Sequence, residues 1–137
     1  MAVALAAAGV GGGLTLYRQM TYGNRYDESR QDITVPSGTV FSLVVPDRGP
    51  SVGDKWTAGI YGDAEITQVH STLIADNLFD RWFGPAPGGG GGQRVITFRA
   101  DTPGTATITL ENCYRGCDSE RNRTESRSVS WDVTVSR

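Results

Sequence analysis

The 137-residue chain reads as an all-β protein, an antiparallel β-sandwich of about six to eight strands. Three observations predict this. Ala106, Ile108 and Leu110 alternate with Thr105, Thr107 and Thr109, and Val129, Trp131, Val133 and Val135 alternate with Ser128, Ser130, Asp132 and Thr134. That period of two is what a strand with one buried and one solvated face requires. The 18 glycines and 6 prolines punctuate short apolar runs, and no segment sustains a helical period.

The elements follow in chain order. Ile33 and Val35 precede a Pro36-Ser37-Gly38 turn, after which Phe41, Leu43 and Val45 point to one face, so a strand pair around a tight connection is expected. A proline- and glycine-pinned loop, Gly49 to Lys55, runs into Trp56, which opens a strand to Ile60 and is expected to pack in the core beneath the loop. Ala64 to Leu73 is extended with weaker alternation. Asp76 to Phe83 reads either as a helical turn or as an irregular connection, and Pro85 to Gly92 as a low-complexity loop inside one domain. Ile96, Phe98 and Ala100 face inward on the next strand, and Thr102-Pro103-Gly104 turns the chain. Between the two clean alternations, Glu111 to Arg127 forms a polar, hairpin-like excursion.

One core suffices for this length, assigned to residues 26–137, with residues 1–25 as an apolar or flexible leader. Met1 to Tyr17 has no charged side chain, and Ala2 to Val10 is almost wholly apolar. The stretch reads either as the remnant of a signal peptide or membrane anchor, with Ala6-Ala7-Ala8 as a small-residue cleavage zone, or as a plain Ala/Gly leader. The first reading places the domain outside the cytoplasm, secreted or tethered through its N-terminus. Cys113 and Cys117 are the only cysteines. Gly116 favours a turn that brings them within bridging range, and a disulfide suits an oxidising compartment.

The formal net charge of −2 gives no basic excess for nucleic acid, and no nucleic-acid partner is expected. Catalytic, cofactor and metal sites are not expected either. There is no Gly-x-Ser-x-Gly elbow, and His70 stands alone, without Cys or His at ligand spacing, as a structural or surface residue. The glycine run lacks the Gly-Lys-Ser/Thr that a phosphate cradle needs. Asn122-Arg123-Thr124 fits the glycosylation acceptor pattern.

Three loops carry a resemblance. Pro50, Gly53 and Trp56 stand in the register of an Asn-Pro-Thr-Thr-Gly-Tyr-x-Trp motif, with Ser51 and Val52 at the two threonines. Gly89, Gly90, Gly91 and Gly92 precede an alternating strand and a Pro-Gly turn. Arg115-Gly116-Cys117 occupies the tip between the last two strands. In these features the chain resembles the chagasin-type inhibitors of papain-like cysteine proteases, small Ig-like β-sandwiches with three signature loops at one end. The departures fall on contact positions: Gly49 for Asn, Val52 for Thr, Asp54 for Tyr, and no Pro-Trp in the third loop.

The resemblance implies a monomeric, non-enzymatic protein that wedges reversibly and non-covalently into a protease cleft. Its contacts would be Pro50, Ser51, Val52, Gly53 and Asp54, then Gly89 to Gly92, then Tyr114, Arg115 and Gly116. A Cys113–Cys117 bridge would take over the role of the missing proline, and Tyr114 that of the missing tryptophan. The alternative is a non-inhibitory Ig-like interaction or scaffold module of the cell envelope that keeps the sandwich and binds another protein partner.

Overall fold

A computed structural model describes residues 21–49, 52–75 and 91–137. The expectations for the apolar N-terminal stretch, for Asp76 to Phe83 and for Pro85 to Gly88 lie outside the described residues. Eight strands are described: β1 (Asn24–Tyr26), β2 (Asp32–Pro36), β3 (Val40–Asp47), β4 (Asp54–Gly62), β5 (Ile66–Ala75), β6 (Gly92–Ala100), β7 (Gly104–Tyr114) and β8 (Ser128–Ser136). They form two four-stranded sheets, ordered β1-β3-β6-β5 and β2-β8-β7-β4. The all-β sandwich read from the alternation is the fold. Strand β1 begins at Asn24, so the first sheet already uses residues just before position 26.

The inward faces are the expected ones. Phe41, Leu43, Val45, Ile96 and Phe98 from one sheet meet Ile33, Val35, Ile108, Leu110, Trp131 and Val133 from the other, all buried. Phe41 and Phe98 are register partners whose rings stack at 5.6 Å. Trp56 packs partly buried against this cluster, and its indole N–H donates to the carbonyl of Pro46 at 3.2 Å. Ser42 and Thr97, on the opposite face of the first sheet, are buried as well, and their hydroxyls are satisfied there: they bond each other at 2.7 Å and Ser42 donates to the Tyr22 carbonyl at 2.6 Å.

Three expectations are corrected. The Pro36-Ser37-Gly38 turn does not join a strand pair: β2 lies in one sheet and β3 in the other. Gly38, at φ 84°, lets the turn amides bond both layers, Ser37 N–H to Ser136 O and Gly38 N–H to Ala100 O, each at 2.7 Å. The sheets are also not wholly antiparallel, since β1 pairs parallel with β3 and β2 parallel with β8. Parallel neighbours need a crossover, and the chain supplies one by passing through the opposite sheet between β1 and β3. Finally, the segment from Glu111 to Arg127 is not a simple hairpin arm. Strand β7 runs on to Tyr114, a 3₁₀ turn covers Arg115–Cys117, and a short helix α1 spans Glu120–Glu125. Ser119 caps that helix by accepting the Asn122 N–H at 3.0 Å.

The weak alternation along β5 has a local cause. The β5–β6 register slips between Gln68 and His70, a bulge that turns Val69 outward on an edge strand.

Candidate functional site

The first loop is built from its two flanks inward. At the end of β3 the buried Asp47 accepts the Gly49 N–H at 2.7 Å and the Arg94 Nε at 3.0 Å. This folds the backbone back on itself and fixes where the loop leaves the sheet. Gly49 sits at φ 102° and Gly53 at φ 75°, conformations that suit glycine. Between them the Val52 and Asp54 amides both reach the Gly49 carbonyl, at 3.3 and 3.4 Å. Val52 is left facing solvent. Pro50 and Ser51 lie outside the described residues.

Asp54 departs from the expectation that it faces a partner. Its side chain is only 2% exposed. One carboxylate oxygen accepts the Arg48 N–H at 2.9 Å; the other accepts Arg48 Nη2 at 3.0 Å and Asn112 Nδ2 at 2.8 Å. Burial alone would raise its pKa. The hydrogen bonds from the Arg48 side chain and backbone and from Asn112, with the Arg48 charge, outweigh burial and hold it below the usual carboxylate range. Asp54 is a pin under the loop, and the position is polar because its side chain meets Arg48 and Asn112 inside.

The third loop stands next to the first because β4 pairs with β7, placing Asp54 opposite Tyr114 and Lys55 opposite Cys113. The Arg115 N–H donates to the Gly53 carbonyl at 2.9 Å and joins the two tips directly. Arg115, Gly116 and Cys117 follow one another at φ 50°, 77° and 49°. Two non-glycine residues in succession around a left-handed glycine are costly, and they persist only where the surroundings impose them. Here the constraints are the Cys113–Cys117 disulfide, with Cα atoms 5.3 Å apart, the Gly53 contact, and the Tyr114 N–H bond to Ser126 Oγ at 2.8 Å. Tyr114 is half-buried, with the Arg48 guanidinium 4.0 Å from its ring centre and that of Arg115 at 5.3 Å. Its ring is therefore clasped by two cations instead of standing free as an aromatic tip.

The glycine segment reaches the same end. Gly92 pairs with Asp47, and a Cβ at Gly91 would stand 3.1 Å from the Asp47 carbonyl oxygen and 3.4 Å from that of Arg48. Glycine permits this close approach to the root of the first loop. Gly89 and Gly90 lie outside the described residues. The described parts of all three loops thus converge on one pole: Gly53 against Arg115, and Gly91 against Asp47 and Arg48.

Sequence reasoning missed the groups that hold this pole together, namely Asp47, Arg48, Arg94 and Asn112. His70 takes the structural role expected of it, its ring 5.5 Å from that of Tyr22 and its Nε2 3.4 Å from the Thr21 carbonyl. Among the described residues no three His, Cys, Asp or Glu side chains gather as metal ligands.

Neither a protein-family model nor a curated protein matches this chain. Solved structures do. The cysteine protease inhibitor EhICP2 of Entamoeba histolytica superposes with a TM-score of 0.59 at 16% identity, over 82% of this chain and 94% of that one. PbICP-C, in its complex with falcipain-2, gives 0.53 at 14% identity, over 82% and 90%. The chain has the chagasin-like fold. Amebosin, solved in solution, agrees at a TM-score of 0.50 and 19% identity, over 82% and 96%. Identities this low make the architecture the shared property, and the chagasin-like sandwich here places its own, differently composed loops at the pole.

Proposed function

We propose that this chain is a reversible, non-covalent inhibitor of papain-like cysteine proteases that engages the enzyme with its three-loop pole. The observation that carries the reading is the convergence of Gly53, Arg115 and Gly91 at one end, where the first and third loops are bonded to each other through Gly53 and Arg115. A surface ordered before binding loses less entropy when it docks. In the fold relative PbICP-C, falcipain-2 is the bound protein, which supports a protease as the partner class. The contact set is Pro50 to Gly53, with Val52 exposed, Gly89 to Gly92, and Arg115 and Gly116 with Tyr114. Asp54 acts from below. No bond to substrate is made or broken by the protein, and its role is to bind and not to catalyse.

Titration of papain with the purified domain is expected to give reversible inhibition at or below micromolar concentration. Full papain activity at micromolar domain would reject the reading. In a Cys113→Ser/Cys117→Ser variant the five-residue third-loop ring is opened, and inhibition is expected to weaken by up to about thirtyfold, since closing so short a ring is worth on the order of 2 kcal/mol of chain entropy.

A second reading is favoured by one observation: Asp54 and Tyr114, two positions at family contact places, are turned into the scaffold by Arg48. On that reading the chain is an Ig-like interaction module of the cell envelope, indifferent to papain. Both readings propose a monomer acting outside the cytoplasm. Thiol-blocked extracts should yield the Cys113–Cys117 bridge intact in an extracytoplasmic fraction; a reduced, cytoplasmic protein would exclude that placement.

A further inference from the structure

We propose that Arg48 is the positioning residue that makes the first and third loops a single rigid unit, an inference that rests on the inhibitory reading of the pole. One guanidinium reaches four residues on three separate pieces of chain: β4, β7 and α1. Its Nη2 lies within hydrogen-bond distance of Asp54 at the root of the first loop (3.0 Å), Asn112 on β7 (2.9 Å) and the carbonyl of Glu125 at the end of α1 (2.9 Å), which share its two N–H groups, while Nη1 lies 3.6 Å from the Glu125 carboxylate. Its flat face covers the Tyr114 ring at 4.0 Å. The Arg48 backbone N–H adds a second bond to Asp54 at 2.9 Å, so this residue holds Asp54 from both ends of its own side chain.

The chemistry of the group matters to this role. A guanidinium offers five donors in a plane and a weakly hydrated face for stacking, so carboxylate, amide, carbonyl and ring can be engaged together. An ammonium is a compact point charge that cannot form this planar fork or stack in the same way. Each partner leads to a tip: Asp54 is one residue from Gly53, and Tyr114 one residue from Arg115, the two residues whose backbones meet at 2.9 Å. The Glu125 contact pulls α1, and with it Ser126, toward the Tyr114 amide that Ser126 holds. Without Arg48 the two tips keep the Gly53–Arg115 bond, the β4–β7 ladder and the Asn112–Asp54 bond, and lose the clamp that covers Tyr114 and reaches on to α1. Arg48 therefore acts through the loops, without having to touch the protease.

The test compares wild type, Arg48→Ala and Arg48→Lys by hydrogen exchange and by papain inhibition. In Arg48→Ala the amides of Val52, Asp54, Tyr114 and Arg115 are expected to exchange about tenfold faster or more, while those of Ile108, Leu110, Trp131 and Val133 keep their protection. Inhibition should weaken at least tenfold, because only a fraction of molecules present both tips in the binding arrangement. Arg48→Lys should fall between the two. Unchanged loop exchange in Arg48→Ala would overturn the proposal, as would core amides that open in step with the loops. If wild type itself does not inhibit papain, the inhibitory reading fails, and the exchange comparison still decides whether Arg48 locks the tips.

Discussion

Replacing Trp131 by alanine is expected to lower the unfolding free energy by about 3–5 kcal/mol, read as a fall in the denaturation midpoint with the slope retained. Trp131 is 0% exposed at the middle of β8, opposite Ile108, and is the bulkiest fully buried side chain among the described residues. Two terms add. The first is the void, which the surrounding β-branched and aromatic side chains can fill only by leaving their rotamers. The second is a hydrogen bond: the indole N–H donates to the Asp27 carbonyl at 3.1 Å, tying the connection between β1 and β2 to the second sheet. Trp131→Phe separates them. It restores much of the volume but abandons the Asp27 carbonyl, so a loss of about 1–2 kcal/mol is expected from it. A domain of this size holds roughly 5–15 kcal/mol in total, so the alanine variant should be only marginally folded. A loss below about 1 kcal/mol from Trp131→Ala would mean that this residue is not at the centre of the core.

The same tryptophan shows why the fold was legible. Where a strand has one wet face, inward positions repeat every second residue, and Val129, Trp131, Val133 and Val135 state that period without interruption. Parity carries the reading from one residue to the next. It fails where the chain leaves a sheet: Gly38 looks like a hairpin turn because local signals specify a turn and not which sheet the next strand joins. It fails again at Val69, where a bulge resets the count. Helix α1 was missed because its residues are all polar, and the Ser119 cap is a weak signal without an apolar run behind it.

Part of the pole was also written in the parity, in a form easy to overlook. Continuing the inward row of β7 from Ala106, Ile108 and Leu110 lands on Asn112, and following that of β4 back from Ile60, Ala58 and Trp56 lands on Asp54. Both are polar residues at core-facing positions, which must be partnered if they are buried. The partner, Arg48, lies on the far side of the loop, and no periodicity connects it to either. Long-range side-chain pairing of that kind is set by how two strands happen to align, and the sequence carries no local signal for it.

Asp54 offers the second large effect. Asp54→Ala is expected to cost about 2–3 kcal/mol, since it strips partners from the Arg48 N–H and from Asn112 Nδ2 in a closed site while leaving the Arg48 guanidinium to solvent on its exposed side. Asp54→Asn is the sharper probe. One carboxylate oxygen receives one donor and the other receives two, so an amide turned either way sets its own NH2 against an N–H. The pH dependence then separates charge from shape. Because the folded carboxyl is held below its ordinary range, the wild type gains from its ionisation above about pH 4 and loses that gain as pH falls through the depressed value. Asp54→Asn has no such proton to take up. Its stability should decline less steeply as pH falls below about 4, but still decline, because Asp101, held down by hydrogen bonds from Arg99 and Thr67, remains. Denaturation midpoints at a series of acid pH values measure this. Parallel curves for wild type and Asp54→Asn would show that the carboxylate is not the pin of the first loop.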